Sequence, residues 1–404
     1  MKTNEKDTKQ GIVPVLRFPE FQNAGEWVYL EGNKVFEQIS NRKHNSNLPI
    51  LAISQEHGAV PRDLIDYKVI VSDEGVENYK VVEVGDFIIS LRSFQGGIEY
   101  SAYNGICSPA YIILRKRLDV DNQFFKYYFK SRAFIRDLNK NLEGIRDGKM
   151  ASYKQFSEIL LPIPSIHNKK EQQKIADCLS SIDALIKAAE NKIDELKAHK
   201  KGLMQQLFPA EGETVPALRF PEFQNAGEWK SVSVDAIAEL YKGEQINKSS
   251  LTPDGLYPVI NGGMLPSGFF DKYNAPAHTI TISEGGNSCG FVNLIKTNFW
   301  CGGHCYVVNG RNGIKKEFLY QLLKKEEPNL MALRVGSGLP NIQLKTVKQH
   351  PVLIPISENE QQKIADCLSS MDDLIMAQTN RLEALKTHKK GLMQQLFPKL
   401  NDHE

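Results

Sequence analysis

The sequence predicts an α+β protein built as an internal repeat: two globular domains with mixed sheets, each followed by a long helix. The two helices are predicted to pair antiparallel as a coiled coil about a pseudo-two-fold axis. Three observations support this prediction. A block of 12 residues occurs twice, a helical block of 39 residues occurs twice, and two dissimilar regions of strand-like runs lie between these blocks.

The repeated blocks define the segments of the chain. The sequence LRFPEFQNAGEW, here called the opening block, occupies 16–27 and returns unchanged at 218–229, whereas 171–209 returns at 360–398 with 29 of 39 residues identical. The offsets are 202 and 189 positions, so the regions between the blocks differ in length. The predicted segments are a flexible tail at 1–12, a first domain at 13–165 that begins with 13–27, a first long helix at 166–209, a second domain at 210–356 that begins with 215–229, a second long helix at 357–398 and a tail at 399–404.

Each variable domain is predicted to carry short strands and one amphipathic helix. Runs of β-branched and aromatic residues, broken by Gly, Pro, Asn and Asp, indicate strands. The clearest strand runs are 80–90, 111–114, 279–283 and 304–308, and the helices are predicted near 121–142 and 315–327. Although the domains share few letters, 121–130 aligns with 315–324 and 145–164 aligns with 336–355, so one fold carries two different surfaces.

Each long helix carries an apolar stripe at spacings of three and four residues, which is typical of a face buried against another helix. The residues predicted to pair the helices are Ile175, Leu179, Ile182, Ile186, Ile193, Leu196, Leu203, Ile364, Leu368, Met371, Ile375, Leu382, Leu385 and Leu392. A helix of about 38 residues is about 57 Å long, well beyond the radius of gyration near 14 Å of a domain of about 130 residues. This length favours pairing of the helices over packing of each on its own domain. Lys200 and Lys389 interrupt the stripe, and Ala189 and Gln378 weaken it, so we expect the coiled coil to open or bend there or to be completed by another protein.

Composition indicates an ordinary globular protein. No apolar run approaches the roughly 20 residues of a membrane helix, and the polar N-terminus lacks a signal peptide, so we expect a cytoplasmic protein with no membrane partner. Cys289, Cys301 and Cys305 beside His304 lack the paired spacing of zinc ligands, and a buried strand is predicted there instead. The net charge is only +2, although 111–154 holds eleven Lys/Arg against five Asp/Glu. Such a run is typical either of a phosphate-facing surface or of a helix with a solvated basic side.

Two kinds of function compete with simple nucleic-acid binding. An enzyme would need a motif such as G-x-x-x-x-G-K-[ST], H-E-x-x-H or G-x-S-x-G, or the N-P-P-[FY]-like tetrapeptide of a DNA methyltransferase. The sequence contains none of them except one G-x-S-x-G match at 286–290, which by itself is not evidence of a catalytic site. A protein scaffold of two adaptor domains on a coiled coil is compatible with the composition. Constant helices joined to divergent domains suit changeable specificity better than assembly alone. We predict neither catalytic residues nor metal ligands in this chain.

The repeated blocks, taken in order, resemble the specificity subunits of Type I restriction–modification systems. The features are the opening block, a β-rich variable domain, a closing segment of the "IPLP" kind, the sequence EQQKIA and a long helix ending in QQLFP. The closing segments are Leu161-Pro-Ile-Pro164 and Leu353-Ile-Pro-Ile356, and EQQKIA occupies 171–176 and 360–365. This resemblance covers the chain after residue 12, twice and in the family's order.

The resemblance implies a non-catalytic, DNA-reading role. Each variable domain would be a target-recognition domain for one half of a bipartite sequence in double-stranded DNA, and the helices would set the spacer and dock two modification subunits. Those methyltransferase subunits would bind S-adenosylmethionine, and two restriction subunits would act as an ATP- and Mg²⁺-dependent motor and nuclease. Half-sites one helical turn apart have centres about 34–36 Å apart, a separation that a rod of about 57 Å can set.

Candidate contacts to DNA come from polar loops that follow strands, because such side chains reach base edges and phosphates. The predicted DNA-binding residues are Arg42, Lys43, Asn45, Arg92, Gln95, Lys130, Arg146 and Lys149 in the first domain and Asn261, Asn287, Ser288, Lys324, Ser337, Asn341 and Gln343 in the second. Arg and Gln pair bidentately with guanine and adenine, whereas Lys130 and Lys324, at matching helix positions, suit phosphate contact or simple solvation. Any one of these residues, taken singly, is more often a solvated loop residue than a base contact.

Overall fold

The fold is described from a computed structural model that covers residues 12–44, 47–55, 57–65, 73–140, 151–164, 169–311, 313–336, 338 and 340–398. The chain forms two compact units. Unit 1 combines Met1–Ala189 with Arg381–Glu404, and unit 2 is Glu190–Asn380. Each unit therefore contains one variable domain, the first half of the long helix that follows it, and the second half of the other long helix.

Unit 1 is built from short strands and short helices. Its strands are β1 (Val28–Glu31), β2 (Phe36–Ile39), β3 (Leu51–Ser54), β4 (Gly58–Pro61), β5 (Lys80–Val82), β6 (Phe87–Ile89), β7 (Glu99–Tyr100), β8 (Gly105–Cys107), β9 (Ile112–Lys116) and β10 (Leu160–Ile163). Its helices are α1 (Gly32–Val35), α2 (Ser93–Gly96), α3 (Asn122–Tyr128), α4 (Arg132–Lys140), α5 (Tyr153–Glu158) and the first half of α6 (Lys170–Leu207). The central sheet has the order β2-β9-β6-β7 with antiparallel neighbours, and β3 pairs with β4 and β5 with β8.

Unit 2 has a four-stranded central sheet like that of unit 1, but its smaller sheets differ. Its strands are β11 (Lys230–Ser233), β12 (Ala238–Lys242), β13 (Tyr257–Ile260), β14 (Phe269–Phe270), β15 (Thr279–Ser283), β16 (Val292–Ile295), β17 (Trp300–Cys301), β18 (Cys305–Gly310) and β19 (Pro351–Ile354). Its helices are α7 (Val234–Ile237), α8 (Lys316–Ala332), α9 (Leu344–Gln349) and the first half of α10 (Glu358–Leu396). The central sheet has the order β12-β18-β15-β16, and the second sheet is mixed because β13 pairs parallel with β17.

The start and the end of each variable domain lie side by side. Strand β1, directly after the first opening block, pairs antiparallel with β10, with Val28 opposite Ile163. In unit 2, β11 pairs in the same way with β19, with Lys230 opposite Ile354. The first and last strands of each variable domain are thus paired, so the chain enters and leaves the domain at the same place.

The elements agree with the sequence predictions except where a turn interrupts a run. The run 80–90 forms two strands because Gly85, at φ +98°, makes a turn in which the Asp86 carboxylate accepts from the Glu83 amide at 2.8 Å. The helix predicted near 121–142 is divided into α3 and α4, and the Ser131 hydroxyl accepts from the Phe134 amide at the start of α4. Cys301 and Cys305 lie in β17 and β18, both buried in a small apolar cluster, as predicted. The strand prediction is wrong for Cys289, which is buried in the core of unit 2 but lies in a turn after β15.

The predicted fold class is confirmed: two α+β domains are joined by long helices that pack together. The predicted helix-pairing residues are buried or half-buried in every case. Toward the ends of the long helices, residues of the apolar stripe also pack into the cores of the variable domains. Ile175 and Leu179 of α6 join the aromatic core of unit 1 together with Leu396 of α10 and the adjacent Phe397, and Leu207 and Phe208 enter the core of unit 2 in the same way.

The described part of the chain contains no helix that is both long enough and apolar enough to cross a membrane.

Candidate nucleic-acid interface

Each opening block is held to the start of a long helix by one buried carboxylate. In unit 1, the Arg17 guanidinium donates to both oxygens of Glu171 at 2.7 and 2.8 Å, and Trp27 Nε1 donates to Glu171 at 3.2 Å. In unit 2, Arg219 and Trp229 bind Glu360 at 2.7, 2.8 and 3.4 Å. We call each of these three-residue groups a clamp. The hydrogen bond to Glu360 raises the pKa of Arg219 above its usual value, so the guanidinium stays charged.

The opening block also contacts the end of the other long helix. The Leu16 amide donates to the Gln395 carbonyl at 3.0 Å, and the Leu218 amide donates to the Gln206 carbonyl at 2.9 Å. These bonds satisfy carbonyl groups in the last turn of a helix, which have no partner within the helix. Since one block contacts both helices in each unit, the block and the helices are parts of a single structural contact, and this explains why they are repeated together.

The residue after each clamp carboxylate positions the helix of the variable domain. Gln172 Oε1 accepts from the Asp121 amide at 2.8 Å, and Gln361 Oε1 accepts from the Lys315 amide at 3.1 Å. Asp121 and Lys315 are the residues directly before α3 and α8. The pair EQ in the EQQKIA sequence therefore ties the long helix both to the opening block and to the variable domain.

A pair of equivalent ion bridges joins the long helices. Lys389 Nζ donates to Asp183 at 2.6 Å in unit 1, and Lys200 Nζ donates to both oxygens of Asp372 at 2.7 Å in unit 2. The same carboxylates accept a hydrogen bond from the variable domain, from the Tyr127 hydroxyl at 2.8 Å in unit 1 and from Gln321 Nε2 at 2.9 Å in unit 2. Burial, and then the bond to Asp183, raise the pKa of Tyr127 and keep its hydroxyl protonated as a donor.

These bridges correct the prediction for the two lysines. Lys200 and Lys389 do not open the coiled coil, because each ammonium group finds a carboxylate on the other helix. The sequence did not reveal this because the partner lies in the other copy of the repeat.

A groove of about 660 Å³ with both polar and apolar lining residues lies at the end of strand β6 in unit 1. The groove lies between the β3–β4 hairpin and the turn that carries Arg92, and we call it the strand-end groove. Its polar lining includes Gln55, Arg62, Ser90 and Arg92. Gln55 Nε2 donates to the Arg92 carbonyl at 3.0 Å, which holds the hairpin to the turn. Arg62 is half-buried, and its Nε is buried without a hydrogen-bond partner.

The equivalent strand end in unit 2 carries an acidic group. Glu284 directly follows β15 and is 7% exposed. Its Oε1 accepts from Lys242 Nζ at 2.7 Å and from the Tyr306 hydroxyl at 2.9 Å. Its Oε2 accepts no hydrogen bond but lies 3.4 Å from His304 Nδ1, which is an ion-pair distance when the imidazole is protonated. Burial works against ionisation, but the bonds from Lys242 and Tyr306 outweigh it and lower the pKa of Glu284. We call Glu284, Lys242, Tyr306 and His304 the strand-end cluster.

Several predicted DNA-binding residues gather around these two strand ends. Arg92 and Gln95 are exposed beside the strand-end groove. In unit 2, Asn341 forms a backbone bridge with Gly285, next to Glu284. The Ser288 hydroxyl donates to the Gly262 carbonyl at 2.6 Å, and the Asn261 side chain accepts from the His304 amide at 3.1 Å, which joins three loops at this point.

The other predicted DNA-binding residues are dispersed. Asn287 and Gln343 are exposed, and Gln343 precedes α9. Arg42 and Lys43 are exposed in a loop whose Asn41 carbonyl accepts from Val81 in β5, away from the strand-end groove. Asn45, Arg146, Lys149 and Ser337 lie outside the described residues.

Lys130 and Lys324 have partners inside their own units. Lys130 forms an ion pair with the buried Glu99 and donates to the Gly96 carbonyl. Lys324 pairs with Glu327 at 2.5 Å and donates to the Val292 carbonyl at 3.0 Å. These positions favour a structural role, since an ammonium group engaged in this way is less accessible to a phosphate.

A basic groove of about 560 Å³ lies in unit 1 between α4 and the C-terminal half of α10. Its cationic lining residues are Lys130, Arg132, Arg136, Lys386, Lys389 and Lys390. In unit 2, Lys325 and Glu326 follow Lys324 where Ser131 and Arg132 follow Lys130, so the corresponding helix carries an acidic residue instead. The basic run of the sequence thus contributes Lys130, Arg132 and Arg136 to a local basic surface of unit 1.

Sequence reasoning missed several residues of these sites, namely Gln55, Arg62, Lys242 and Tyr306. They are single polar residues in strands and turns, and nothing local distinguishes them from solvated positions. Only the folding of the β3–β4 hairpin against β6, and of β12 and β18 against β15, places them at the strand ends.

The fold and its repeated clamps agree with comparisons to known proteins. The family model described as "Type I restriction modification DNA specificity domain" matches residues 3–198 and 226–387, which is most of the chain. The chain therefore belongs to this family, and the resemblance seen in the sequence is confirmed.

Individual relatives extend this result. A putative type I specificity subunit of Mycoplasma genitalium is 32% identical over 171 residues, covering 42% of this chain and 44% of that protein, so the match spans less than half the relative's length. The MjaVIII specificity subunit of Methanocaldococcus jannaschii is 24% identical over 78% of this chain and 79% of its own. The crystal structure of a Type I S subunit from M. genitalium shares the fold, with a TM-score of 0.60 at 17% identity over 96% of this chain and 100% of that chain.

Proposed function

We propose that this chain is the non-catalytic specificity subunit of a Type I restriction–modification complex, in which each variable domain reads one half of a bipartite DNA sequence. The observation that carries the proposal is the contrast within each unit. The clamps and ion bridges are built from the same residues twice, whereas the strand ends carry Arg62 and Arg92 in one unit and Glu284 in the other. A constant frame with two chemically different polar sites suits the recognition of two different half-sites.

Membership of the family supports the assignment of partners. On this proposal the long helices set the spacer and dock two modification subunits, which bind S-adenosylmethionine, and two restriction subunits use ATP and Mg²⁺. The helices retain polar surfaces for such docking, since the charged side chains away from the apolar stripe are largely exposed. No cofactor is assigned to this chain.

Exchange of one variable domain tests the proposal. Residues 28–163 form a unit of exchange because Val28 and Ile163 are paired neighbours, so a related domain can replace them while Arg17, Trp27 and Glu171 stay in place. The complex with modification subunits is used to methylate a random pool of DNA duplexes, and the methylated sequences are read. We expect a change in one half of the motif only. A change in both halves would contradict independent reading by the two domains, and a pool with no enriched motif would contradict sequence recognition itself.

The basic groove leads to a second prediction, which concerns phosphate contacts. Arg132 and Lys390 are exposed on opposite sides of the groove, and each phosphate contact that is lost reduces the salt dependence of DNA affinity by about one in log–log slope. The double variant R132A/K390A is therefore expected to reduce the slope by about two without changing the recognised sequence. The matched control is K201A, because Lys201 is the exposed equivalent of Lys390 in unit 2, where Glu326 takes the place of Arg132. An unchanged slope in the double variant would show that the groove does not contact DNA.

A further inference from the structure

Two of the nine described side-chain polar atoms that are buried without a hydrogen-bond partner lie beside equivalent strand ends. Arg62 Nε belongs to the turn after β4 that lines the strand-end groove, and Glu284 Oε2 belongs to the residue directly after β15. Strands β6 and β15 hold the same place in their sheets, third in the orders β2-β9-β6-β7 and β12-β18-β15-β16. A buried polar group without a partner costs about 1–3 kcal/mol, so such groups are uncommon in folded proteins. Because one lines the groove at the end of β6 and the other directly follows β15, a ligand bound at this end of each sheet would supply the missing hydrogen bonds.

The strand-end groove of unit 1 is suited to a ligand with acceptor atoms. Both charged side chains in its lining, Arg62 and Arg92, are guanidinium groups, which only donate hydrogen bonds. The amide nitrogen of Gln55 is already engaged with the Arg92 carbonyl. Among base edges in the major groove of DNA, guanine presents two neighbouring acceptors, N7 and O6, and arginine is the side chain that most often binds them.

The strand-end cluster of unit 2 is suited to the opposite chemistry. Lys242 and Tyr306 bind Glu284 through Oε1 alone, which leaves Oε2, 3.4 Å from His304 Nδ1, as an acceptor without a hydrogen bond. An ionised carboxylate can only accept hydrogen bonds. The exocyclic amino groups of cytosine N4 and adenine N6 are the donors that the base pairs present in the major groove.

We propose that the strand end after β6 and β15 is the base-reading point of each variable domain. Arg62 and Arg92 read a guanine in one half-site, and Glu284 reads an exocyclic amino group, of cytosine or adenine, in the other. This inference rests on the proposed function and adds the side chains that determine specificity and the class of base that each one recognises.

The test uses the full chain in complex with its modification subunits and a random pool of DNA duplexes, from which bound sequences are selected and read. For R62Q we expect the preference for one guanine in one half-site to fall roughly 10- to 100-fold, with the other half-site unchanged. R92A, a change at an exposed residue, is expected to affect the same half-site. For E284Q we expect the loss of preference at one base of the other half-site, and the identity of that base distinguishes cytosine from adenine.

Two controls separate reading from folding. R117A removes an exposed arginine that follows β9. Because β9 is antiparallel to β6, the end of β9 lies at the other end of the sheet from the end of β6, and this variant should leave both half-sites unchanged. K272A removes an exposed lysine that lies between β14 and β15, before the start of β15 rather than after its end, and it should preserve the preferred base. Thermal unfolding confirms that each variant is folded, and if E284Q does not fold, the two arginine variants decide the proposal.

The inference and the proposed function fail in different ways. If R62Q and R92A fold, bind DNA and select the same bases as the unchanged protein, the strand end is not the reading point, although the function stands. If the unchanged protein selects no sequence at all, the proposed function is overturned.

Discussion

Replacing Glu171 by Ala is expected to destabilise unit 1 by about 3–5 kcal/mol, the usual cost of removing one partner of a buried ion pair. The side chains of Arg17 and Glu171 are only 5% and 4% exposed, so the change leaves a buried guanidinium without its carboxylate. Trp27 Nε1 loses its acceptor as well. In a domain of 150–250 residues each 1 kcal/mol lowers the midpoint of thermal unfolding by about 2–4 °C, so the expected shift is roughly 6–20 °C.

Calorimetry of three variants provides the comparison. E360A removes the equivalent carboxylate in unit 2 and is expected to have an effect of similar size. E195A removes a glutamate of the same long helix whose side chain is 70% exposed, and it is expected to change stability by less than about 0.5 kcal/mol. A shift for E171A as small as that of E195A would show that the clamp does not hold the opening block to the helix.

A half-chain that ends after Pro209 is expected to form a homodimer. The core of unit 1 includes Leu396 and Phe397, with Leu392 and Met393 packed against it, all from the second long helix or the residue after it. The first long helix ends with the same sequence, 203–208, so a second copy of the half-chain can supply identical side chains. Lys200 of one copy would then take the place of Lys389 beside Asp183 of the other.

Light scattering after gel filtration measures this outcome. The half-chain should have twice its monomer mass, because a monomer would leave an apolar core open and the apolar stripe of its one long helix without a partner. The half-chain variant with Leu207→Asp and Phe208→Asp removes the side chains that fill the core and should lose the dimer. A folded monomer of the unchanged half-chain would contradict the claim that the end of a second long helix is needed to complete the core of the variable domain. The dimer, with modification subunits, is expected to select a motif whose two half-sites are identical.

The predicted DNA-binding residues were chosen from sequence patterns, and only some of them lie at the strand ends. Arg92 and Asn341 lie beside the strand ends because they follow or bridge the central strands, whose positions the run pattern indicates. Lys130 and Lys324 were chosen for matching positions on a helix, yet each is bonded within its unit. The alignment identified the right equivalence without showing which side of the helix faces solvent.

The sequence by itself determined the duplication, the extent of the long helices and the division into constant and variable segments. These features are visible without coordinates because identical letters and a periodicity of 3.6 residues are local properties of the chain. The same letters also identified the family.

Only the tertiary structure decided which residues meet. Glu171 binds a side chain 154 positions away, and Lys200 binds one 172 positions away. It also showed that the end of each long helix completes the core of the other variable domain. Arg62 and Glu284 became candidates for base reading for the same reason: the polar partners of a strand end come from distant segments, and their burial depends on how those segments pack, which no local pattern encodes.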